Sequence, residues 1–210
     1  MTTRLYDEDQ YLKTFTTMVT KIDGKHVELD KTAFYAESGG QSGDSGTLNG
    51  EKVIYTKYID DFHIHIMEQV PKFRVGDLVQ GVIDWDRRYN IMKLHSASHI
   101  MEYFLWKNFG YMERTGSFVD EKKDRADYVH DGRLDAEKLK KTEDDTNNFL
   151  VLGHEISIST DDKGIRTWSC GPVEMHCAGT HANNTREIGK IKLKRKNPGK
   201  GVERVETSLK

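Results

Sequence analysis

Cysteine is nearly missing from this chain: Cys170 and Cys177 are the two thiols in 210 residues. Two thiols cannot staple a chain of this size, so a disulfide framework is excluded and reduced thiols in a cytoplasmic protein are expected. Charge of one sign is missing too. Thirty-two basic residues against 34 acidic ones leave a net −2, so no global basic excess advertises nucleic acid and only a local patch could serve. No uninterrupted apolar run extends beyond a few residues, far short of the roughly 20 that span a bilayer. The opening MTTRLYDEDQYLK has no apolar stretch behind basic residues, so neither a membrane span nor a secretory signal is expected. Proline is limited to three, and no Pro/Gly-rich linker marks a junction. What is there suffices for a core: 36% hydrophobic residues, with eight Phe, nine Tyr and three Trp. The length suits one large domain or two small ones.

The first 85 residues read as strands. Residues 14–21 and 25–29 flank Asp23-Gly24, a hairpin signal of the type I′ kind. Further strand-like runs at 53–59, 62–67 and 78–85 predict a small antiparallel β-barrel over residues 1–86. The period then changes. Ile91, Leu94, Met101, Phe104 and Leu105 fall at helical spacing between Arg87 and Phe109, with Asp84 or Asp86 as N-cap and Gly110 as the stop. A second helix is expected at 135–150, and strands at 155–160, 165–168, 188–194 and 202–208. The expected fold class is therefore α+β, with a second domain at 87–210 whose helices pack on an antiparallel sheet.

Two short patterns point to a metal. His95 and His99 in HSASH share a helix face at i and i+4, which alone is weak, because nine histidines give about 0.4 such pairs by chance. Cys177 and His181 in CAGTH add a C-x₃-H step, and the joint chance falls to about 0.03. Three imidazoles and a thiolate suit zinc, while the missing carboxylate makes magnesium and calcium poor candidates. Ser96 stands where a zincin would carry its glutamate base, so that type of proteolysis is not expected. Cys170 is read as a core thiol and the other histidines as structural or surface groups.

Residues 32–46, TAFYAESGGQSGDSG, are glycine-rich but carry neither nucleotide-phosphate motif. Residues 190–200 hold Lys190, Lys192, Lys194, Arg195, Lys196 and Lys200 with no acid. On a strand, Lys190, Lys192 and Lys194 share one face with Ile191 and Leu193 turned inward. Such a row suits RNA phosphates, and suits equally an edge strand guarded by lysines.

TAFYAESGGQSGDSG, DWDRRYNIMKLHSASH, GSFVD, DYVH, CAGTHANNTREIG and GVERVE occur in that order. The series resembles the editing region of alanyl-tRNA synthetase and, over roughly residues 14–208, the freestanding AlaX alanyl-tRNA editing proteins of medium length. The resemblance implies a trans-editing hydrolase that deacylates misacylated tRNA(Ala), chiefly seryl-tRNA(Ala) and secondarily glycyl-tRNA(Ala), with one zinc per chain. By position, His95, His99, Cys177 and His181 match the zinc motif, and Thr32, Glu37 and Gln41 match the glycine-rich motif. Thr32 is the expected contact to the serine hydroxyl, Glu37 and Gln41 are expected pocket residues, and Lys190, Lys192, Lys194, Arg195 and Lys196 are expected to meet tRNA. Two positions depart from the pattern: Ala178 stands within CAGTH where glycine is usual, and Arg114 where the synthetase domain often has glutamine. Two alternatives stay open, a zinc deacylase for another mischarged tRNA, of the threonyl-tRNA synthetase editing type, and a non-catalytic tRNA-binding module with structural zinc.

Overall fold

A computed structural model describes residues 2–199 and 201–210, and its internal contacts divide the chain into a first unit ending at Tyr89 and a second, Asn90–Lys210. The first unit contains β1 (Thr3–Arg4), β2 (Thr14–Asp23), β3 (His26–Leu29), β4 (Lys31–Thr32), β5 (Gly46–Leu48), β6 (Glu51–Ile59), β7 (Phe62–Met67) and β8 (Leu78–Ile83). Short β1 and β4 pair in parallel. The other six pair antiparallel in the order β2-β3-β7-β6-β5-β8, and β8 pairs in turn with β2, so each has two neighbours. Alternation drives this. Phe15, Thr17 and Val19 of β2 point inward, and Phe15 joins Val27, Phe34, Leu48, Val53, Met67 and Val79 in one apolar cluster.

The turns follow local chemistry with one correction. Asp23 pairs with His26, so the turn residues are Gly24 and Lys25, and only Gly24 has positive φ. A type I′ turn needs positive φ at both central residues. That requirement is met by Asn49-Gly50 and by Asp60-Asp61, which close β5–β6 and β6–β7.

Helix α1 (Trp85–Phe109) starts two residues earlier than expected. Asp84 settles the cap, its Oδ1 accepting the Arg87 N–H at 3.3 Å. Gly110, at φ 87°, donates to the Trp106 carbonyl at 2.8 Å and ends it. The helix is buried on almost every side between Ile91 and Glu102, so it forms the centre of the second unit. Around it lie β9 (Arg114–Val119), β10 (Asp124–Val129), α2 (Ala136–Val151), β11 (Ser157–Thr160), β12 (Arg166–Cys170), β13 (Val173–His176), α3 (Thr185–Ile188), β14 (Ile191–Gly199) and β15 (Val202–Leu209). One antiparallel sheet runs β14-β15-β10-β9 and another β11-β12-β13. Ile100, Met101 and Leu105 of α1 and Leu139 and Leu150 of α2 pack with Tyr128, Trp168, Ile191, Leu193 and Val205. Asp135 caps α2 by accepting the Lys138 N–H at 2.8 Å.

The expected strand at 188–194 begins later, at Ile191. Residues 185–188 form a helical turn fixed by an Asn184/Glu187 capping box, and Gly189, at φ 74°, redirects the chain. Strands β9, β10 and β13 were not expected. β9 has four exposed residues in succession, and β10 turns Asp124 inward where an apolar residue would be expected, so neither shows the apolar alternation that marks a strand. No helix of the described residues is long and apolar enough to cross a membrane.

Candidate metal centre

Helix spacing puts His95 and His99 on one face of α1, and the connection between β13 and α3 brings Cys177 and His181 against them. The four ligand atoms lie within 4.8 Å of one another. Cys177 Sγ is 3.5 Å from His95 Nε2 and 3.2 Å from His181 Nε2. A tetrahedral zinc with ordinary bond lengths holds sulfur and nitrogen about 3.6 Å apart, so the spacing fits co-ligation. The three histidines are buried and Cys177 is half-buried. Burial, aided by the nearby Arg114 charge, pulls His95 down to about 3. Burial and then neighbouring imidazoles hold His99 and His181 well below their ordinary value. Neutral rings with available lone pairs are what a metal needs. His99 adds a direct test: among the described residues neither of its buried ring nitrogens has a hydrogen-bond partner. An unmet polar group in the interior is costly, and a metal ion would satisfy it. Cys170 is not part of the group; it is a buried core thiol, pushed up to about 11 by burial.

Ser96 orients one of the candidate ligands. Its hydroxyl donates to the Met92 carbonyl at 2.9 Å and accepts the Ala182 N–H at 3.0 Å. Toward His181 Nδ1, 3.4 Å away, it can then only accept. That places the ring proton on Nδ1 and leaves the Nε2 lone pair facing Cys177. Trp168 lies edge-on to His99, with ring centroids 4.9 Å apart.

A polar cluster beside the histidines was missed from the sequence. Arg114 of β9 donates from Nη1 to Glu102 Oε2 at 3.2 Å, and Tyr128 of β10 donates to Glu102 Oε1 at 3.0 Å. Glu102 follows His95 and His99 by seven and three residues on the same helix face, so H-x₃-H-x₂-E was the available signal. Asp124 is buried nearby, and burial, opposed by Arg114, pushes its carboxyl from 3.8 up to about 8. The folded state therefore holds a proton that the unfolded state releases near pH 4. Its contribution to stability is complete in acid and is lost as pH rises toward 8, at up to about 1.4 kcal/mol per pH unit. Asp124→Asn should remove that decline and raise the melting temperature at pH 8 relative to the parent. Equal pH profiles of melting for the two proteins would show that Asp124 ionises normally.

The glycine-rich residues belong to the first unit. Gly43 has no room for a side chain, because a Cβ there would lie 1.7 Å from the Thr56 carbonyl oxygen. Arg87 donates to the Gly43 carbonyl at 2.6 Å and to Ser42 Oγ at 2.7 Å. Arg88 reaches Asp44 and the Ala33 carbonyl. The two arginines of DWDRR thus clamp the segment. Gln41 is fully buried, whereas Glu37 is exposed and accepts from the Tyr55 hydroxyl. Thr32 is fully buried, with Oγ1 2.8 Å from His65 Nε2 and accepting the Phe34 N–H at 3.1 Å. His65 Nδ1 faces the Val27 carbonyl at 3.1 Å, so Nε2 accepts and the Thr32 proton is spent on it. This narrows the contact expected between Thr32 and the serine hydroxyl: the Thr32 oxygen can only accept, through its one remaining lone pair.

In the basic stretch, Lys192, Lys194 and Lys196 are exposed along edge strand β14, and Lys190 precedes it. Arg195 is docked on Glu203, with Nη2 2.6 Å from Oε1.

Comparison with known proteins bears on these features. Residues 6–87 match the family described as tRNA synthetases class II (A), and residues 166–206, which include Cys177 and His181, match the threonyl and alanyl tRNA synthetase second additional domain. The alanine–tRNA ligases of Methanococcus maripaludis and Sulfurisphaera tokodaii are 34% and 32% identical over 92% and 91% of this chain, which spans about a quarter (24%) of the length of each. The alanyl-tRNA editing protein AlaX-M of Pyrococcus horikoshii is 34% identical over 217 residues, covering 100% of this chain and 98% of its own. With that match over both units, the chain belongs to the AlaX alanyl-tRNA editing protein family.

Proposed function

We propose that this protein hydrolyses the ester of misacylated tRNA(Ala), chiefly seryl-tRNA(Ala) and also glycyl-tRNA(Ala), in the cytoplasm. The observation that carries the reading is the convergence of His95, His99, Cys177 and His181 in a member of an alanyl-tRNA editing family. Three imidazoles and a thiolate, with no carboxylate, favour one zinc per chain over a hard cation. Bound there, zinc would supply Lewis acidity toward the ester or its attacking water. We read the closed run of strand pairings in the first unit as a small barrel that carries the glycine-rich motif, with Glu37 and Gln41 as pocket residues. The second unit is read as the zinc-binding editing domain.

The test is release of amino acid from tRNA(Ala) charged with serine, glycine or alanine, and from tRNA(Thr) charged with serine, with and without a chelator. Seryl-tRNA(Ala) should be cleaved fastest, and zinc should restore what the chelator removes. Preference for seryl-tRNA(Thr) would move the protein to the threonyl branch. Binding without cleavage, unaffected by chelation, would leave a structural zinc module.

Discrimination between serine and alanine rests on one hydroxyl, and a site built to pair with it disfavours the substrate that lacks it. We assign that contact to the remaining Thr32 lone pair. Thr32→Val should lower seryl kcat/KM about 2- to 13-fold, the equivalent of roughly 0.5–1.5 kcal/mol, with a smaller effect on alanyl-tRNA. The change also strips His65 Nε2 of its partner, so melting is measured alongside. Proportionate losses on both substrates would return Thr32 to a purely structural role.

For the RNA grip we propose Lys190, Lys192, Lys194 and Lys196, and not Arg195, which Glu203 already holds. Replacing Lys192, Lys194 and Lys196 together should flatten the log–log salt dependence of tRNA binding by roughly 2 to 3, at about 0.7–0.9 per phosphate contact. The parent's slope in the triple variant would mean the lysines only guard a strand edge.

A further inference from the structure

Arg88, Arg195 and Arg204 each place two donors on one carboxylate, those of Asp44, Glu203 and Asp127. That fork-to-fork geometry is what an arginine adopts when its task is to neutralise an acid. Arg114 does not adopt it. A single Nη1–H reaches one oxygen of Glu102, the arginine side chain keeps 40% of its surface exposed, and no further hydrogen bond engages it among the described residues. Glu102, 3% exposed at its side chain, is meanwhile steadied by the Tyr128 hydroxyl at 3.0 Å. The guanidinium also stands close enough for its charge to act on His95, His99 and Cys177. Glu102 occupies one of the five N–H donors, so a cation with open donors stands beside the candidate metal ligands, where negative charge would develop on a substrate.

We propose that Arg114 is a catalytic residue, its unengaged donors holding the acyl oxygen of the ester as that oxygen becomes negative, with Glu102 and Tyr128 as positioning residues. The inference rests on the proposed deacylation. In the step, the oxygen of water forms a bond to the carbonyl carbon, and the carbonyl π pair moves onto the acyl oxygen facing Arg114. When the pair returns, the bond to the ribose oxygen breaks and that oxygen takes a proton, giving the free amino acid and a tRNA with its terminal diol restored. The second proton of the water leaves to solvent. Preorganised donors at a developing oxyanion are worth about 10²–10³ in rate.

The experiment measures seryl-tRNA(Ala) hydrolysis by the full chain and by Arg114→Met, Arg114→Lys and Arg114→Ala, together with bound metal and melting temperature. Arg114→Met, which keeps the length and removes every donor, should lose about 100- to 1,000-fold in kcat while KM stays within about threefold and metal content and melting hold. Arg114→Lys should keep more activity than Arg114→Met, and added guanidinium should restore part of the activity of Arg114→Ala. A kcat of Arg114→Met within about threefold of the parent overturns the proposal, as does a raised KM with kcat intact, which would make Arg114 a phosphate contact. Unfolding or metal loss in Arg114→Met that Arg114→Lys repairs, without rescue of Arg114→Ala by guanidinium, overturns it too and leaves Arg114 as the neutraliser of Glu102. If the parent itself cleaves no charged tRNA, the proposed function fails and this inference falls with it; a cleaving parent with an unaffected Arg114→Met removes this inference alone.

Discussion

Cys177→Ala is expected to lower zinc affinity by more than about 100-fold and to take the deacylase activity with it. Changing a residue that only orients a metal ligand costs about 10- to 100-fold in affinity, and Cys177 is a ligand candidate itself. Its sulfur is the one soft donor of the group and lies 3.2–3.5 Å from two of the three imidazoles. The three histidines left behind keep their places through α1 and the Ser96 contact, so the folded state should survive. The measurement is metal content after dialysis against a weak chelator, run beside circular dichroism. The parent should retain about one zinc per chain, as one four-donor group implies, and the variant far less. Equal metal content in the two proteins, or a parent that carries no zinc, would remove the metal reading.

Arg88→Met is expected to cost about 3–5 kcal/mol, because it abandons a buried carboxylate. Arg88 and Asp44 are each 1% exposed. Arg88 Nε is 2.9 Å from Asp44 Oδ1 and Nη2 also reaches Oδ2, and Oδ2 further accepts the Tyr35 N–H at 2.6 Å. Removing the guanidinium leaves the Asp44 charge facing apolar surroundings, while the glycine-rich segment loses its tie through the Ala33 carbonyl. At about 2–4 °C per kcal/mol for a chain of this size, the melting temperature should fall by roughly 6–20 °C. The double variant Arg88→Met, Asp44→Asn should recover part of the loss, since no unpaired charge remains. A double variant as unstable as the single one would place the cost in packing and not in the stranded charge.

Much of this was legible in the sequence where the physics is local. The helical spacing around HSASH, the Asp84 cap and the Gly110 stop describe α1 to within two residues, because each acts inside one turn. The convergence of His95, His99, Cys177 and His181 was legible for a different reason: His, Cys and their spacing state a chemistry regardless of fold. The Arg114–Glu102–Tyr128 cluster was not. Arg114 sits on a strand with no apolar alternation, and its partner lies 12 residues away on α1, so nothing in a local window connects them. The DWDRR arginines belong to the segments that carry the resemblance, but their work depends on Ser42, Gly43 and Asp44, which lie 44 or 45 residues distant. Thr32 shows the opposite limit. A threonine can be suspected of touching a substrate from its motif, yet which of its hydrogen-bond positions is left open depends on a histidine 33 residues away.

The pairing of β2 with β8 also sets a schedule for the nascent chain. Two-residue turns let β5–β6 and β6–β7 form within microseconds of leaving the ribosome. β2 must wait for β8, since Thr14 pairs with Val82 and Met18 with Leu78. At about 5–20 residues per second, the stretch between them takes roughly 3–14 s to synthesise, and for that interval β2 presents an unpaired side. Arg88 emerges later still, so the glycine-rich segment waits for its clamp although it is made well before β8.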